Sequence, residues 1–141
     1  MAILKLKPAC KDYQWGGTRL MKDFGKDFSG DKLAETWESS CHPDCPSIIG
    51  NGDYAGSTLN EYILMEGKKV VGTKSRRYEQ FPLLIKFIDA ADELSVQVHP
   101  GDAFAMENEG QYGKTEMWYI VDCEEGASLY YGFSREVTEE E

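Results

Sequence analysis

Two short stretches, Gln97-Val98-His99-Pro100 and Gly113-Lys114-Thr115-Glu116, carry residue types suited to chemistry. Both read as strand sequence, and residues two apart on a strand point to the same face. Gln97 and His99 therefore aim together, as do Lys114 and Glu116. Laid side by side, the strands would gather an amide oxygen, an imidazole, an ammonium and a carboxylate into one small volume. Imidazole and carboxylate are good zinc ligands, and three protein ligands with an open position form the usual catalytic arrangement. The spacing points to a metal site in a β-fold.

The elements that must position these groups are short strands. Leu83 to Asp89 is an apolar run of the kind a buried strand needs, interrupted by Lys86. Leu94 to His99 alternates, with Leu94, Val96 and Val98 on one face and Ser95, Gln97 and His99 on the other. Pro100-Gly101-Asp102 ends that strand, and Ala103 to Glu109 reads as a short helix capped by Asp102. Thr115 to Val121 and Ser128 to Phe133 read as further strands, joined as a hairpin through the turn-rich Asp122 to Gly126. Taken singly, these residues have ordinary explanations. A histidine near a strand end is more often a satisfied polar group than a ligand, and Lys86 could carry its ammonium out to solvent along its own stem.

The motifs together are more specific. Pro82-Leu83-Leu84-Ile85-Lys86, Leu94-Ser95-Val96-Gln97-Val98-His99-Pro100 and Gly113-Lys114-Thr115-Glu116-Met117-Trp118-Tyr119 closely resemble type I mannose-6-phosphate isomerases. So do Asp12-Tyr13-Gln14-Trp15-Gly16-Gly17, which is similar to an early Trp-Gly motif, and Ala34 to Pro43, which is similar to a Glu-x-Trp-x-x-x-x-His-Pro segment. The resemblance implies a cupin-like jelly-roll β-sandwich with a few short helices. It also implies a zinc-dependent interconversion of mannose 6-phosphate and fructose 6-phosphate through an enediol. Gln97, His99 and Glu116 match metal ligands, Lys86 and Lys114 match active-site lysines, and Trp15, His42 and Ser95 match residues at the substrate pocket. Lys114 fits either an acid/base role or a phosphosugar contact, and the identity of the base stays open.

One departure stands out. The family's fourth zinc ligand is a histidine in a later strand, and this chain has only His42 and His99. The family's later helical segment, smaller cupin-like region and substrate-contacting arginine have no counterpart either. Thr138-Glu139-Glu140-Glu141 is a capping box with acidic residues in the first turn, which is how a helix begins. Residues 1–141 are therefore expected to be the N-terminal part of a truncated cupin domain, inactive by itself. Its incomplete barrel would leave strand edges for a homo-oligomer or for strand exchange. A non-catalytic sugar-phosphate sensor, or an isomerase of a different sugar phosphate, are the alternative readings.

Composition narrows the function classes. The chain has 141 residues, 41% of them hydrophobic, which suffices for one core. A net charge of -10 argues against a nucleic-acid partner. An anionic sugar phosphate would also be repelled at a distance, so lysines and a metal must act locally. No segment has the length of a membrane span, and Met1 to Lys7 lacks the apolar run of a signal peptide, so the expected compartment is the cytoplasm. Cys41-His42-Pro43-Asp44-Cys45 could suggest a structural zinc site, but the usual second ligand pair is missing, and reduced thiols are the simpler reading. Thr18 to Phe24 reads as a short amphipathic helix, Gly25 to Asp31 as a loop, and Thr58-Leu59-Asn60-Glu61 as a capping box that opens a helix running to about Met65. The basic stretch from Lys68 to Arg77 reads as a solvated loop.

Overall fold

The structure, a computed structural model, describes residues 3–138. It divides into two compact units, residues 1–94 and 95–141. The N-terminal unit holds two small antiparallel sheets. In the first, β1 (Leu6–Lys7) pairs with β4 (Ile48–Ile49). In the second, β3 (Glu35–Ser39) lies between β2 (Ala9–Lys11) and β5 (Ile85–Ile88).

Strand β3 is central because both of its edges are paired, and it runs through a deeply buried stretch of chain. Leu33, Ala34, Thr36 and Ser40 are all 0% exposed. The register sets Trp37 opposite both Ala9 and Lys86, with an irregularity between Trp37 and Ser39. Buried Ser47 ties the following loop back to the strand: its Oγ accepts from Ser40 N at 2.9 Å and donates to Trp37 O at 3.0 Å.

The Trp-Gly-Gly segment earns its glycines by close approach. A Cβ on Gly16 would lie 2.7 Å from the Ala34 backbone, and one on Gly17 would lie 2.5 Å from the Asp89 carboxylate. Gly17 N donates to Asp89 O at 3.1 Å. Asp89 Oδ2 also accepts from Arg19 N at 2.7 Å, so this residue caps α1 (Arg19–Lys22) from a distant part of the chain. Helix α1 is shorter than the expected span of Thr18 to Phe24; Phe24 lies outside it and packs on Phe87, ring centroids 5.5 Å apart. Helix α2 (Leu59–Glu66) follows the expected capping box: Glu61 N donates to Thr58 Oγ1 at 3.1 Å and Thr58 N to Glu61 Oε2 at 2.7 Å. The basic stretch forms two short 3₁₀ turns, Lys68–Val71 and Lys74–Arg77, rather than a plain loop.

The C-terminal unit departs further from expectation. Helix α3 (Asp102–Asn108) forms, but Asp102 does not cap it; Gly101 holds the cap position, and Asp102 Oδ1 accepts from Gly113 N at 2.9 Å. No strand ladder forms over 94–99, 115–121 or 128–133 among the described residues, and the Asp122 to Gly126 segment gives a turn without a hairpin ladder. A strand needs a neighbour for its amides and a surface for its apolar face. Here Val98 is 78% exposed, Met117 89% and Tyr131 99%, so that surface is missing from these residues. The capping box that starts at Thr138 depends on Glu141, which lies outside the described residues.

The close approach at Gly16 is directly testable. Gly16→Ala should lower stability by about 1–3 kcal/mol, seen as an earlier urea midpoint. Gly101→Ala, where nothing lies within 4 Å and only the cap of α3 is weakened, should cost less than about 1 kcal/mol. Equal effects would show that the Gly16–Ala34 contact does not constrain the fold.

Candidate functional site

In the C-terminal unit the two motifs do converge. Lys114 Nζ lies 2.6 Å from Glu116 Oε1, and His99 Nε2 lies 3.5 Å from both Glu116 Oε2 and Lys114 Nζ. Trp118 Nε1 donates to Glu116 Oε2 at 3.2 Å. The contacts joining residue 114 to 116 and 118 to 116 follow the two-residue spacing expected of an extended chain. Burial works against the Glu116 charge, but hydrogen bonds from Lys114 and Trp118, with His99 nearby, outweigh it and hold the carboxyl below the usual carboxylate range.

Gln97 is arranged differently. Its Nε2 donates to Ser95 Oγ at 2.9 Å, which orients the amide through its nitrogen. His99 and Glu116 are thus brought together, while Gln97 and Ser95 form a neighbouring pair on the same segment. Imidazole, carboxylate and amide oxygen are a donor set that zinc accepts. The Lys114 ammonium lies against both the carboxylate and the imidazole. Among the described residues no cluster of three or more His, Cys, Asp or Glu side chains is placed to hold a metal, so a site here must draw on Gln97.

In the N-terminal unit a second polar group collects on the β3–β5 face. Lys86 Nζ lies 3.1 Å from Glu35 Oε2 and 4.5 Å from the centre of the Trp37 ring. Lys86 does not run out to solvent along its stem; its side chain is 19% exposed. His42 packs edge-on against Trp37 at 5.6 Å. Its Nδ1 accepts from Asp44 N at 3.2 Å.

Trp15 sits elsewhere in this unit. It stacks on Tyr13 at 5.5 Å and lines an open cleft of about 810 Å³ together with Asp12, Gln14, Asp31, Lys32, Asp92 and Glu93. With four carboxylates to one ammonium, that cleft is a poor host for an anion, and neither Lys86 nor His42 lines it.

Glu35 and Trp37 were missed as functional candidates, although a signal existed. A lysine inside an apolar run needs a counter-charge, and Glu35 and Trp37 stand two apart in a run of strand sequence. The cysteine alternative lacks ligands: among the described residues no three His, Cys, Asp or Glu side chains are grouped to hold a metal around Cys41 and Cys45, and burial pushes the Cys41 thiol up to about 11. Cys10, Cys41, Cys45 and Cys123 are all free.

The lowered Glu116 value gives a pH prediction. Because the folded value lies below the ordinary one, the contribution of the Lys114 pair is complete at neutral pH and fades only as pH falls through the folded value. Carbon NMR of the carboxylates should show Glu116 titrating below an exposed glutamate, and Lys114→Met should raise it toward the ordinary range. An unmoved Glu116 in that variant would remove Lys114 as the cause.

Residues 3–126 match the family model "Phosphomannose isomerase type I, catalytic domain". The chain is 44% identical over 126 residues to the mannose-6-phosphate isomerase of Streptococcus mutans, covering 89% of this chain and 39% of that protein. It is 41% identical over 138 residues to a mannose-6-phosphate isomerase of Bacillus subtilis, covering 97% of this chain and 42% of that one. The crystal structure of a mannose 6-phosphate isomerase from Bacillus subtilis superposes with a TM-score of 0.79 at 42% identity, over 89% of this chain and 39% of the other. The chain therefore spans about two-fifths of the length of these relatives. Motifs, fold and relatives agree that this chain belongs to the type I phosphomannose isomerase family, matching its catalytic domain.

Proposed function

We propose that this chain is the N-terminal part of a mannose-6-phosphate isomerase catalytic domain with a cupin-like jelly-roll fold. The reaction interconverts mannose 6-phosphate and fructose 6-phosphate by moving a proton between C1 and C2 through an enediol. The observation that carries this reading is the convergence of His99, Lys114 and Glu116 within 3.5 Å. Gln97, His99 and Glu116 would hold one zinc ion. Bound zinc would supply Lewis-acid polarisation of the sugar oxygens and stabilise developing negative charge.

The chain's own side chains supply the rest. Lys114 would move a proton or contact the phosphosugar, with Glu116 setting its position. The motif resemblance alone supports Lys86, Ser95, His42 and Trp15 as contacts to the hexose 6-phosphate; Trp15 would meet the sugar rather than the phosphate, because the cleft it lines is acidic. Free cysteines and the absence, among the described residues, of any helix long and apolar enough to cross a membrane are consistent with our assignment to the cytoplasm.

The exposed apolar side chains of residues 96–133 support an association through unpaired strands. A homo-oligomer or an exchange of strands between copies would cover them. Light scattering should therefore give a mass above 15.9 kDa, together with binding of a hydrophobic dye at low concentration. A monodisperse monomer with little dye binding would overturn this association.

Two measurements test the function. After zinc loading and desalting, any zinc that the chain retains should be lost in His99→Ala, and no zinc in either would mean that the site needs the missing fourth ligand. Zinc held equally by both would remove His99 from the ligand set. A coupled isomerase assay should find no turnover by these 141 residues alone; measurable turnover would show that this segment suffices.

A further inference from the structure

Lys86 is held by a built environment within the N-terminal unit. Glu35 Oε2 faces Lys86 Nζ at 3.1 Å and accepts from Trp37 Nε1 at 2.7 Å. The Glu35 side chain is 9% exposed. The strand register explains the grouping: Trp37 is directly opposite Lys86, and Glu35 shares the Trp37 face of β3. The ammonium also lies over the Trp37 ring, 4.5 Å from its centre, where the π-face attracts a cation.

A buried carboxylate requires compensating hydrogen bonds and charge. Here Trp37 and Lys86 both supply them, and the geometry fixes which way the lysine points. An ammonium held between a carboxylate and an indole face has a fixed position from which to meet negative charge. We propose that Glu35 is a positioning residue, which with Trp37 fixes the place of the Lys86 ammonium on the β3–β5 face as a contact for an anionic group of the substrate. Lys86 then acts as an electrostatic contact held in one place. This rests on the isomerase reading for the identity of the anion, while the positioning itself depends only on Glu35, Trp37 and Lys86.

Acetylation of individual lysines by an N-hydroxysuccinimide ester at neutral pH, followed by peptide mass spectrometry, tests the arrangement. Lys86 should react slowly in the native chain and several-fold faster in Glu35→Gln, while Glu35→Asp should restore most of the protection. Thr36→Ala weakens the same strand from its other face without touching the pair, and it should leave Lys86 slow. Equal rates in the native chain and Glu35→Gln, or an acceleration in Thr36→Ala matching that in Glu35→Gln, would overturn the proposal. Should Glu35→Gln fail to fold, Trp37→Phe, which keeps a ring but removes the indole N–H, should still accelerate labelling, and an unchanged rate would count against it. Zinc retention depends on Gln97, His99 and Glu116, so failure of the isomerase reading there would leave this labelling result standing.

Discussion

The pairing of β3 with strands on both sides constrains everything else in the N-terminal unit. Its register with β5 places Lys86 opposite Trp37, and alternation then puts Glu35 on the same face. Slipping β5 by one residue would turn Lys86 to the other side and leave the Glu35 carboxylate facing apolar side chains. Removing one partner of a buried ion pair costs about 3–5 kcal/mol, a large share of the stability of an ordinary small domain. The register and the ion pair therefore select each other. The close contacts of Gly16 with Ala34 and Gly17 with Asp89 hold the Trp-Gly-Gly segment against the same sheet.

The C-terminal unit shows the converse. Its sequence alternates as strands do, yet a strand is completed by what lies beside it. Val96, Val98 and Tyr119 are each more than two-thirds exposed, so their burial contributes little. What order the unit has around residues 99 and 116 comes instead from charged and hydrogen-bonded contacts between His99, Lys114, Glu116 and Trp118.

Legibility in the sequence follows the same division. Helix α2 could be read because its capping box is local, four residues deciding where the helix begins. The β5 strand could be read from its apolar run, though it occupies only Ile85–Ile88 of the expected Leu83 to Asp89. Grouping Lys114 and Glu116 required only strand alternation, and adding His99 required a tertiary contact that the motif resemblance anticipated. Asp102 was misread because its carboxylate has a choice between a local cap and Gly113 N, and the non-local partner won. The roles of Glu35 and Trp37 were hidden because Glu35 and Lys86 are 51 positions apart and meet only through the register.

Charge ties the two units to one chemical theme without requiring any arrangement between them. The chain carries a net charge of -10, yet at physiological ionic strength exposed charges are screened over about 8 Å. A bound anion would therefore respond mainly to the cations within a few ångströms. Lys86 has Glu35 and Lys114 has Glu116 as intramolecular partners, each carboxylate also receiving an indole N–H, from Trp37 and Trp118 respectively. This repeated Trp–Glu–Lys grouping restrains a flexible side chain that would otherwise lose about 2 kcal/mol of rotamer entropy on being fixed by a ligand. Part of the ordering is thus complete before any anion arrives. The same carboxylates reduce the field that each lysine projects, so strength of attraction is exchanged for definition of position. For the isomerisation proposed above, which would discriminate between two neighbouring sugar carbons, defined position is the more useful property.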